Sequence, residues 1–393
     1  MSTAAAAVPY WRLSSFYFLY FACLGVMVPY WSLYLERAGL GAPAIGVVLA
    51  VMAAVRILAP NAWGWLADRS GRRLAVIRAG SVLSALSFSA LLFGDSPAWV
   101  IAVVALHTFF WNAILAQYEV ITLASLGAEV HRYGQVRLWG SVSFVLSVAG
   151  AGALFDRVGV EHFPWVMLVP LLALAVGSFL VEDAEPAQRQ RRRGGLAPLL
   201  RDPAFRRFLL AAFLMQASHA PFYGFFTLLL DARGYSGSAI GGLWSIGVIA
   251  EIAFFAMAHR VLPRAGLREI LLGSLLLAAL RWLMIGLGAA SVPVLVVAQC
   301  LHAATFGSFH AASIEFVRRR VGESDQGQGQ ALYSAVSFGA GGALGALCSG
   351  WLWELDQRLV FVLAALAALA GWRVLRSGAE ERGLQRPGGG GVA

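Results

Sequence analysis

The sequence predicts an all-α membrane protein with twelve transmembrane helices in two pseudo-symmetric six-helix bundles. Of its 393 residues, 59% are hydrophobic and only 13% are charged, whereas soluble domains carry about 25% charged residues. Apolar runs long enough to cross a hydrocarbon core of about 30 Å recur from end to end. Similar segments also recur at a fixed offset in the two halves of the chain, which indicates an internal repeat.

Gly, Pro and charged residues divide the apolar chain into twelve predicted spans. They cover residues 13–35, 43–66, 74–93, 98–126, 136–155, 162–181, 206–230, 238–258, 269–288, 293–316, 330–353 and 358–375. Continuous runs of this length exclude a transmembrane β-barrel, whose strands alternate over about 10 residues.

The polar segments between and after these spans predict the domain boundaries. We expect six-helix bundles at residues 1–181 and 205–378 and a cytoplasmic linker at 182–204, which is charged and rich in Pro and Gly. We expect a disordered cytoplasmic tail at 379–393, because such a composition cannot bury a core.

The basic residues predict the orientation of the protein. The net charge is +9, and the 30 basic residues are all Arg. They concentrate in alternate loops, as the positive-inside rule describes for cytoplasmic loops. We therefore expect both termini to lie in the cytoplasm of a cell with a bacterial-type inner membrane. The same rule accounts for the positive charge without a nucleic-acid partner.

The three cysteines lack metal-ligand spacing, so we expect no metal site.

The internal repeat has an offset of 195 residues. Segments 35–46 and 230–241 share five identical residues in twelve positions, and the same offset pairs His107 with His302 and Arg56 with Glu251. The repeat predicts two parallel halves related by an axis along the membrane normal. Transporters built in this way bind their solute near the membrane midplane, at the interface of the repeats.

The loop between spans 2 and 3 resembles the signature of the major facilitator superfamily, G-x-L-a-D-r-x-G-r-r. The matching residues are Gly64, Asp68, Arg69, Gly71, Arg72 and Arg73. The resemblance implies a cytoplasmic gating motif that latches the two halves in one conformation. The alternative is a basic loop that only sets topology.

Three further segments resemble the phenylpropionic-acid permease branch, which is related to the oligosaccharide/proton symporters. They are residues 20–32, 133–142 and 243–251. The resemblance implies a monomeric secondary transporter for a small-molecule solute, with the proton as coupling ion and no other cofactor. A phosphate-binding loop of the G-x-x-x-x-G-K-[ST] type needs a Lys, and the chain has none, so we expect no use of ATP.

Charged residues inside the spans are candidates for the site, because each costs about 2.5–3.5 kcal/mol at the bilayer centre unless it has a partner or water. Glu119 and Arg137 lie at similar distances from the turn between spans 4 and 5, so they can face each other. We interpret Arg137 as a substrate anchor, Glu119 as its partner or a substrate ligand, and Arg56 as an attractor of anions. A structural ion pair between Glu119 and Arg137 is the alternative.

In the second half, Glu251, Arg281, His302 and His310 form the predicted proton-coupling set. The symporters use an acid, an Arg and a His in the corresponding spans, and the resemblance implies that movement of Arg281 switches Glu251 between loaded and empty states. This chain departs from the symporters at Thr305, where they have an acid. The alternative is a static polar network.

Aromatic residues and one further His complete the predicted substrate site. We place near the solute Tyr20, Trp31, Trp139, His219, Tyr223 and Trp244. Rings suit an aromatic solute, although core packing explains most aromatic residues equally well.

These observations predict proton-coupled uptake of a small organic anion, such as an aromatic carboxylate. The alternatives are a proton symporter of a sugar or nucleoside, an exporter of amphipathic compounds, and a transport-dead sensor or scaffold. No arrangement of nucleophile and base supports an enzyme.

Overall fold

The computed structural model describes residues 8–184, 197–261, 265–321 and 326–377, and the regular secondary structure in these ranges is entirely helical. The first part contains α1 (Tyr10–Arg37), α2 (Ala42–Ser70), α3 (Arg73–Ser89), α4 (Pro97–Trp111), α5 (Ile114–Leu126), α6 (Tyr133–Val158) and α7 (Phe163–Gly177). The second part contains α8 (Ala197–Arg201), α9 (Pro203–Asp231), α10 (Gly237–Val261), α11 (Leu267–Gly288), α12 (Val292–Cys300), α13 (Ser308–Arg320), α14 (Gln326–Ser334), α15 (Gly342–Trp353) and α16 (Gln357–Arg376).

The described residues carry the twelve spans that the sequence predicts. Ten helical stretches are long and apolar enough to cross a membrane. One of them, Pro97–Val158, is 62 residues long and contains two spans, α4 with α5 and then α6. The 29-residue α9 is the twelfth. Predicted and observed boundaries differ by at most four residues.

Contacts within the chain define two compact units, residues 1–190 with 234–245 and residues 191–233 with 246–393. The last residues of the predicted linker form α8 and the start of α9. Residues 185–196 of that linker and the predicted tail at 379–393 lie outside the described residues. The predicted orientation of the termini stays a prediction.

In the first unit, α1 is the central helix, because it packs against α6 and α7. Its buried face is unusually rich in rings. Trp31 packs against Phe163 with ring centroids 5.6 Å apart, and Tyr34 stacks on the same ring at 5.3 Å. The hydroxyl of Tyr30 donates to the carbonyl oxygen of Val148 at 2.9 Å. These contacts bury large apolar rings and satisfy the buried hydroxyl.

In the second unit, α9 packs against α15 and α16, and α11 packs against α16 and α13. Trp282 on α11 is fully buried, and its indole nitrogen donates to Ser218 Oγ on α9 at 3.1 Å. This bond joins two helices that both contribute residues to the candidate site.

Two spans of the second unit are interrupted by π-helical segments. Ala303–Gly307 separates α12 from α13, and Ala335–Gly341 separates α14 from α15. A π turn holds more residues than an α turn, so it rotates the following side chains and disturbs the backbone hydrogen bonds. Such segments are rare in proteins as a whole, but those that occur are often located at functional sites.

Within the first unit, the start of α10 lies against α6 and is fixed there by a carboxylate. Asp156 Oδ1 accepts from the backbone nitrogen of Gly237 at 2.5 Å, and Oδ2 accepts from that of Ser238 at 2.8 Å. A carboxylate at this position satisfies free N–H groups and complements the helix dipole. The close approach depends on Gly152, because a Cβ there would collide with the carbonyl of Gly237 and the hydroxyl of Tyr30.

We predict opposite effects for two Gly→Ala changes on α6. Gly152→Ala should destabilise the protein by about 1–3 kcal/mol, because the added methyl overpacks the contact with α10. Gly150 has no atom within 4 Å of an added Cβ, so Gly150→Ala should be neutral or stabilising by up to about 1 kcal/mol, since Ala favours a helix. Thermal unfolding in detergent measures both. Equal shifts for the two variants would contradict the packing.

A second prediction concerns Asp202, which caps α9. Its Oδ1 accepts from Ala204 N at 2.9 Å, and its Oδ2 accepts from Arg320 Nε at 2.8 Å. The hydrogen bonds from Arg320 lower the pKa of Asp202 below its ordinary value. Asp202→Asn keeps a good cap but loses the charge, so it should cost about 1 kcal/mol or less at pH 7.

This stabilisation should depend on pH in a defined direction. As pH falls, the unfolded state takes up the proton first, since its pKa is about 3.9. The wild-type advantage is therefore complete above that pH and is lost as pH falls through the lower pKa of the folded state. Unfolding temperatures of wild type and Asp202→Asn between pH 7 and pH 3 measure it. A difference that stays constant over this range would refute the contribution of the charge.

Candidate functional site

A polar cluster in the first unit is built on α1, α5 and α6 around Arg137. Its guanidinium carbon Cζ lies 3.8 Å from the ring centroid of Phe21 and 5.5 Å from that of Tyr17. Among the described residues, the Arg137 side chain donates no hydrogen bond to protein. A guanidinium has five N–H donors in a planar fork. Arg137 is therefore held by ring contacts, and its donors are available to a ligand.

Glu119 belongs to the same cluster, as the spacing of the two residues predicts. Its Oε1 accepts from the hydroxyl of Tyr133 at 3.2 Å. Its charge is near enough to Arg137 for the two to interact, although no direct ion pair joins them in the described part of the chain. The geometry therefore differs from a structural ion pair that neutralises Arg137 by contact.

Hydrogen bonds between α1 and α5 fix the rings of this cluster. The hydroxyl of Tyr118 donates to Leu13 O at 2.9 Å, and the hydroxyl of Tyr17 donates to Thr122 Oγ1 at 3.4 Å. Tyr17 and Tyr118 are also in edge contact at 5.1 Å. The ring of Tyr17 beside Arg137 is thus held in position by Thr122 and Tyr118, without any contact to a ligand.

Tyr20 lies one helical turn beyond Tyr17 on α1 and is stacked on Trp111, with centroids 4.2 Å apart. The charge of Arg56 acts on Tyr20, so Arg56 is near this ring pair. Arg56 is exposed on α2. The structure thus brings Tyr20, Arg56 and the Arg137 cluster to neighbouring positions of one unit.

Two other predicted substrate residues of this unit lie in packing contacts. The indole nitrogen of Trp139 donates to the hydroxyl of Tyr10 at 3.0 Å. Trp31 is buried in the ring cluster with Tyr34 and Phe163. A role in binding stays a prediction for both.

In the second unit, Arg281 is completely buried on α11. Its Nε donates to Ala298 O at 2.9 Å, one terminal nitrogen donates to Gln299 Oε1 at 2.9 Å, and the other donates to Thr305 Oγ1 at 3.3 Å. Its guanidinium also lies 4.2 Å from the ring centroid of Phe222. Neutral groups therefore solvate this charge on all sides.

Glu251 on α10 lies near His302, which directly precedes the π segment Ala303–Gly307, with Oε2 4.0 Å from Nε2. Gly307 leaves room for Glu251, because a Cβ there would lie 3.3 Å from Glu251 Cγ, which is a tight contact. The charge of Glu251 also acts on Arg281. Three of the four predicted proton-coupling residues are thus brought together.

The fourth, His310, is connected through a ring. Phe306 stacks on His302 at 5.4 Å and on His310 at 6.1 Å, with interplanar angles of 8° and 11°. His310 Nδ1 lies 3.4 Å from the hydroxyl of Tyr333. The two His residues therefore lie on opposite sides of one phenyl ring.

His219 and Tyr223 on α9 border the same region. His219 is buried, and its ring lies 4.8 Å from Trp282 and 6.1 Å from Phe306. Tyr223 lies 6.2 Å from Phe306. Both residues were predicted as substrate ligands, and these ring contacts are with Trp282 and Phe306. Trp244 is buried on α10, in the segment that belongs to the first unit.

The signature loop between α2 and α3 has the local geometry that its residues predict. Arg73 pairs with Asp68 and donates to Gln117 Oε1 at 2.5 Å. Gly71 ends α2 in the left-handed region with φ +66°, which Gly adopts without strain. Arg69 lies over the ring of Trp65 at 5.4 Å. Arg72 directly precedes α3. A Cβ added at Gly64 would have only Gln117 Nε2 within 4 Å, at 3.9 Å.

Sequence reasoning missed the neutral residues of both clusters. Phe21 and Tyr133 surround the first pair of charges, and Gln299 holds Arg281. Their positions near candidate charges were the available signal. The described residues contain no group of three or more His, Cys, Asp or Glu side chains that could hold a metal ion.

Comparisons with known proteins cover nearly the whole chain. A model of the MFS_1 like family matches residues 10–363. The chain is 32% identical over 361 residues to the probable 3-phenylpropionic acid transporter of Escherichia coli (strain K12), covering 90% of this chain and 93% of that protein. It is 28% identical over 365 residues to the maltose permease of Geobacillus stearothermophilus, covering 92% of each.

A solved structure shows the same fold at lower identity. The crystal structure of the nucleoside transporter NupG matches with a TM-score of 0.80 and 17% identity, covering 95% of this chain and 99% of that one. Together with the family match, this agreement confirms the predicted fold and transporter class. The chain belongs to the MFS_1 like family of the major facilitator superfamily, and it is a multi-pass membrane transporter rather than an enzyme.

Proposed function

We propose that the protein takes up a small organic anion, an aromatic carboxylate of the phenylpropionate type, together with protons. The observation that carries the proposal is the setting of Arg137, which lies over two rings and, among the described residues, donates no side-chain hydrogen bond to protein. A guanidinium fork binds a carboxylate through two parallel bonds. The neighbouring rings suit an aromatic body.

The relative from Escherichia coli supports the same solute class, since it is described as a probable 3-phenylpropionic acid transporter. Arg56 adds positive charge near Tyr20 and would attract the anion. Glu119 orients Arg137 electrostatically while it accepts from Tyr133. In this proposal the protein is a monomer in a bacterial-type inner membrane, with both termini in the cytoplasm.

For the proton, we propose Glu251 and His302 as the carrying pair. Their side chains lie 4.0 Å apart, and a carboxylate and an imidazole can exchange one proton when they close to hydrogen-bond distance or through one water molecule. Titratable residues within membrane spans are typical of proton relays. Because three of its N–H groups are held by Ala298, Gln299 and Thr305, Arg281 acts in this proposal as a fixed positive charge rather than as the moving switch of the sequence prediction.

A proton symporter of a neutral sugar is the second candidate. It is favoured by the 28% identity to a maltose permease over 92% of the chain. The two candidates differ in the need for a cationic anchor, since a sugar has no carboxylate for Arg137 to bind.

Transport by purified protein in lipid vesicles tests the proposal. An inward proton gradient should drive accumulation of 3-phenylpropionate, with proton entry reported by a pH-sensitive dye inside the vesicles. Accumulation of maltose with no uptake of the acid would favour the second candidate. Outward movement of amphipathic compounds alone would indicate an exporter, and binding without any transport would indicate a sensor.

We predict that Arg137→Gln weakens binding of 3-phenylpropionate by about 10- to 100-fold, because a charged hydrogen-bonded contact contributes about 1.5–3 kcal/mol. Arg137→Lys keeps the charge but loses the planar fork, so its affinity should be intermediate. Arg132 is a matched control, since it is paired with Glu129 at 2.6 Å, and Arg132→Gln should bind normally. Titration calorimetry measures the affinities. Unchanged binding by Arg137→Gln would remove the residue as an anchor.

We also predict that Glu251→Gln loses gradient-driven uptake but retains exchange of labelled for unlabelled substrate, because exchange needs no net proton movement. Glu315 provides the control. It lies on α13 and is paired with Arg318 at 2.6 Å and Arg319 at 2.7 Å, so Glu315→Gln should leave coupling unchanged. Both fluxes are measured in the same vesicles. Normal gradient-driven uptake by Glu251→Gln would exclude it as the proton carrier.

A further inference from the structure

The guanidinium of Arg137 lies on a ring that α1 supplies. Its Cζ is 3.8 Å from the ring centroid of Phe21, well inside the distance of about 6 Å at which the face of a ring attracts a cation. Because the attraction comes from the face of the ring, it leaves the N–H groups at the edge of the guanidinium unoccupied. Phe21 therefore fixes the position of Arg137 without using a donor that a solute would need.

Gly140 makes room for this stack. It lies three residues after Arg137 on α6, so the two positions are neighbours on the helix surface. A Cβ at Gly140 would lie 2.7 Å from Phe21 Cδ2 and 2.9 Å from Arg137 Nη1. Both separations are shorter than van der Waals contact, so a side chain at this position would displace the ring or the guanidinium.

The two helices that carry the stack are held together by other contacts. Ser143 Oγ on α6 donates to Phe18 O on α1 at 2.6 Å. Gly25 on α1 approaches α6 so closely that an added Cβ would lie 2.8 Å from Phe144 O. Because α1 has little freedom to withdraw from α6, a methyl group added to Gly140 would have to be accommodated by the side chains of the stack.

Glu119 is the competitor for the donors of Arg137. Opposite charges attract strongly where water screens them poorly, and a bidentate ion pair would occupy the planar fork of the guanidinium. No such pair forms in the ranges that the structure describes, although the two charges interact. Instead, Glu119 Oε1 accepts from the hydroxyl of Tyr133 at 3.2 Å. The ring thus holds the cation, and the hydroxyl holds the anion.

We propose that Phe21 is a positioning residue that holds the Glu119–Arg137 pair open and thereby keeps the arginine fork free for the carboxylate of the solute. Gly140 provides the space for the ring, and Tyr133 holds Glu119 from the other side. An aliphatic side chain in place of the ring would attract the guanidinium much less, and the pair would then close. The inference rests on the proposed function, in which Arg137 is the anchor of the anion.

Phe21→Leu tests the role of the ring, because Leu keeps the apolar bulk and removes the π face. Its affinity for 3-phenylpropionate, measured by titration calorimetry, should fall about 5- to 30-fold, as expected for the loss of a cation–π contact. Phe21→Tyr keeps the ring and should bind within about twofold of the wild type. Phe18→Leu is the matched control, since Phe18 lies on the same helix and the rings described beside Arg137 are those of Phe21 and Tyr17. Wild-type affinity of Phe21→Leu overturns the proposal.

A second background separates positioning from packing. Glu119→Gln removes the competing charge, so it should bind the anion at least as tightly as the wild type. In that background Phe21→Leu should cost no more than about twofold, because no carboxylate remains to close on Arg137 and the two changes are coupled. An equal loss in both backgrounds would show that the ring only packs. Weaker binding by Glu119→Gln alone would show that Glu119 is a ligand rather than a competitor, and either result overturns the proposal.

Gly140→Ala should weaken binding by a similar factor, because the added methyl group meets Phe21 and Arg137. Gly150→Ala is the control on the same helix, since a Cβ there has no atom within 4 Å, and it should bind normally. Normal binding by Gly140→Ala would contradict the space that the stack is proposed to need.

A fluorinated ring tests the same interaction with almost no change in shape. Pentafluorophenylalanine in place of Phe21 reverses the quadrupole of the ring, so its face repels a cation instead of attracting it. The affinity for 3-phenylpropionate should fall at least as far as in Phe21→Leu. Affinity at the wild-type level overturns the proposal even where the packing of the other variants is disturbed.

Failure of the proposed function gives a different pattern. If Arg137 is not the anchor, Arg137→Gln binds the anion normally, whatever the Phe21 variants do. If Arg137→Gln loses binding while every Phe21 variant binds normally, the anchor stands and the open pair is refuted.

Discussion

The buried charge of Arg281 is the constraint on which the second polar cluster depends. A guanidinium removed from water costs several kcal/mol unless its donors are satisfied. Its acceptors, Ala298 O, Gln299 Oε1 and Thr305 Oγ1, lie on both sides of the start of the π segment. His302 lies between them in the chain. The orientation of His302 towards Glu251 therefore follows from the way in which the helix closes around Arg281.

The two halves of the repeat use the same local motif in different ways. In each half a His is followed four residues later by a stacked ring, His107 with Trp111 at 5.9 Å and His302 with Phe306 at 5.4 Å. In the first half, His107 Nδ1 is satisfied by Ser84 Oγ at 3.1 Å. In the second half, His302 Nδ1 has no partner among the described residues, and Nε2 faces Glu251. The two halves share the packing of a His on a ring, while the polar surroundings of the His residues differ.

Hydrophobicity predicted the fold well, because a membrane span leaves a long and continuous signal. The twelve spans follow from residue type and spacing. The intramembrane charges were found for the same reason, since each one is costly. The proximity of Glu251 to His302 was predicted through family resemblance, and the structure has the contact.

The remainder of the site depends on geometry that residue type does not encode. No pattern indicates the π segment at Ala303–Gly307, yet it sets the direction of every side chain after it. Sequence spacing placed Glu119 opposite Arg137, but the ring of Phe21 lies under the guanidinium and Tyr133 donates to Glu119. Neutral partners of this kind are common in any membrane helix, so only coordinates distinguish them from packing residues.

The contrast between the two arginines follows from how each charge is solvated. Arg281 is held by hydrogen bonds to protein acceptors, and its movement would break the bonds to Ala298 O and Gln299 Oε1. Arg137 rests on rings, which stabilise a cation without occupying its N–H groups. An anion can therefore bind Arg137 at little cost to the protein, whereas an anion at Arg281 would compete with the bonds to Ala298 and Gln299. In the proposed mechanism the first unit therefore recognises the solute, and the second holds a fixed charge beside the groups proposed to exchange protons.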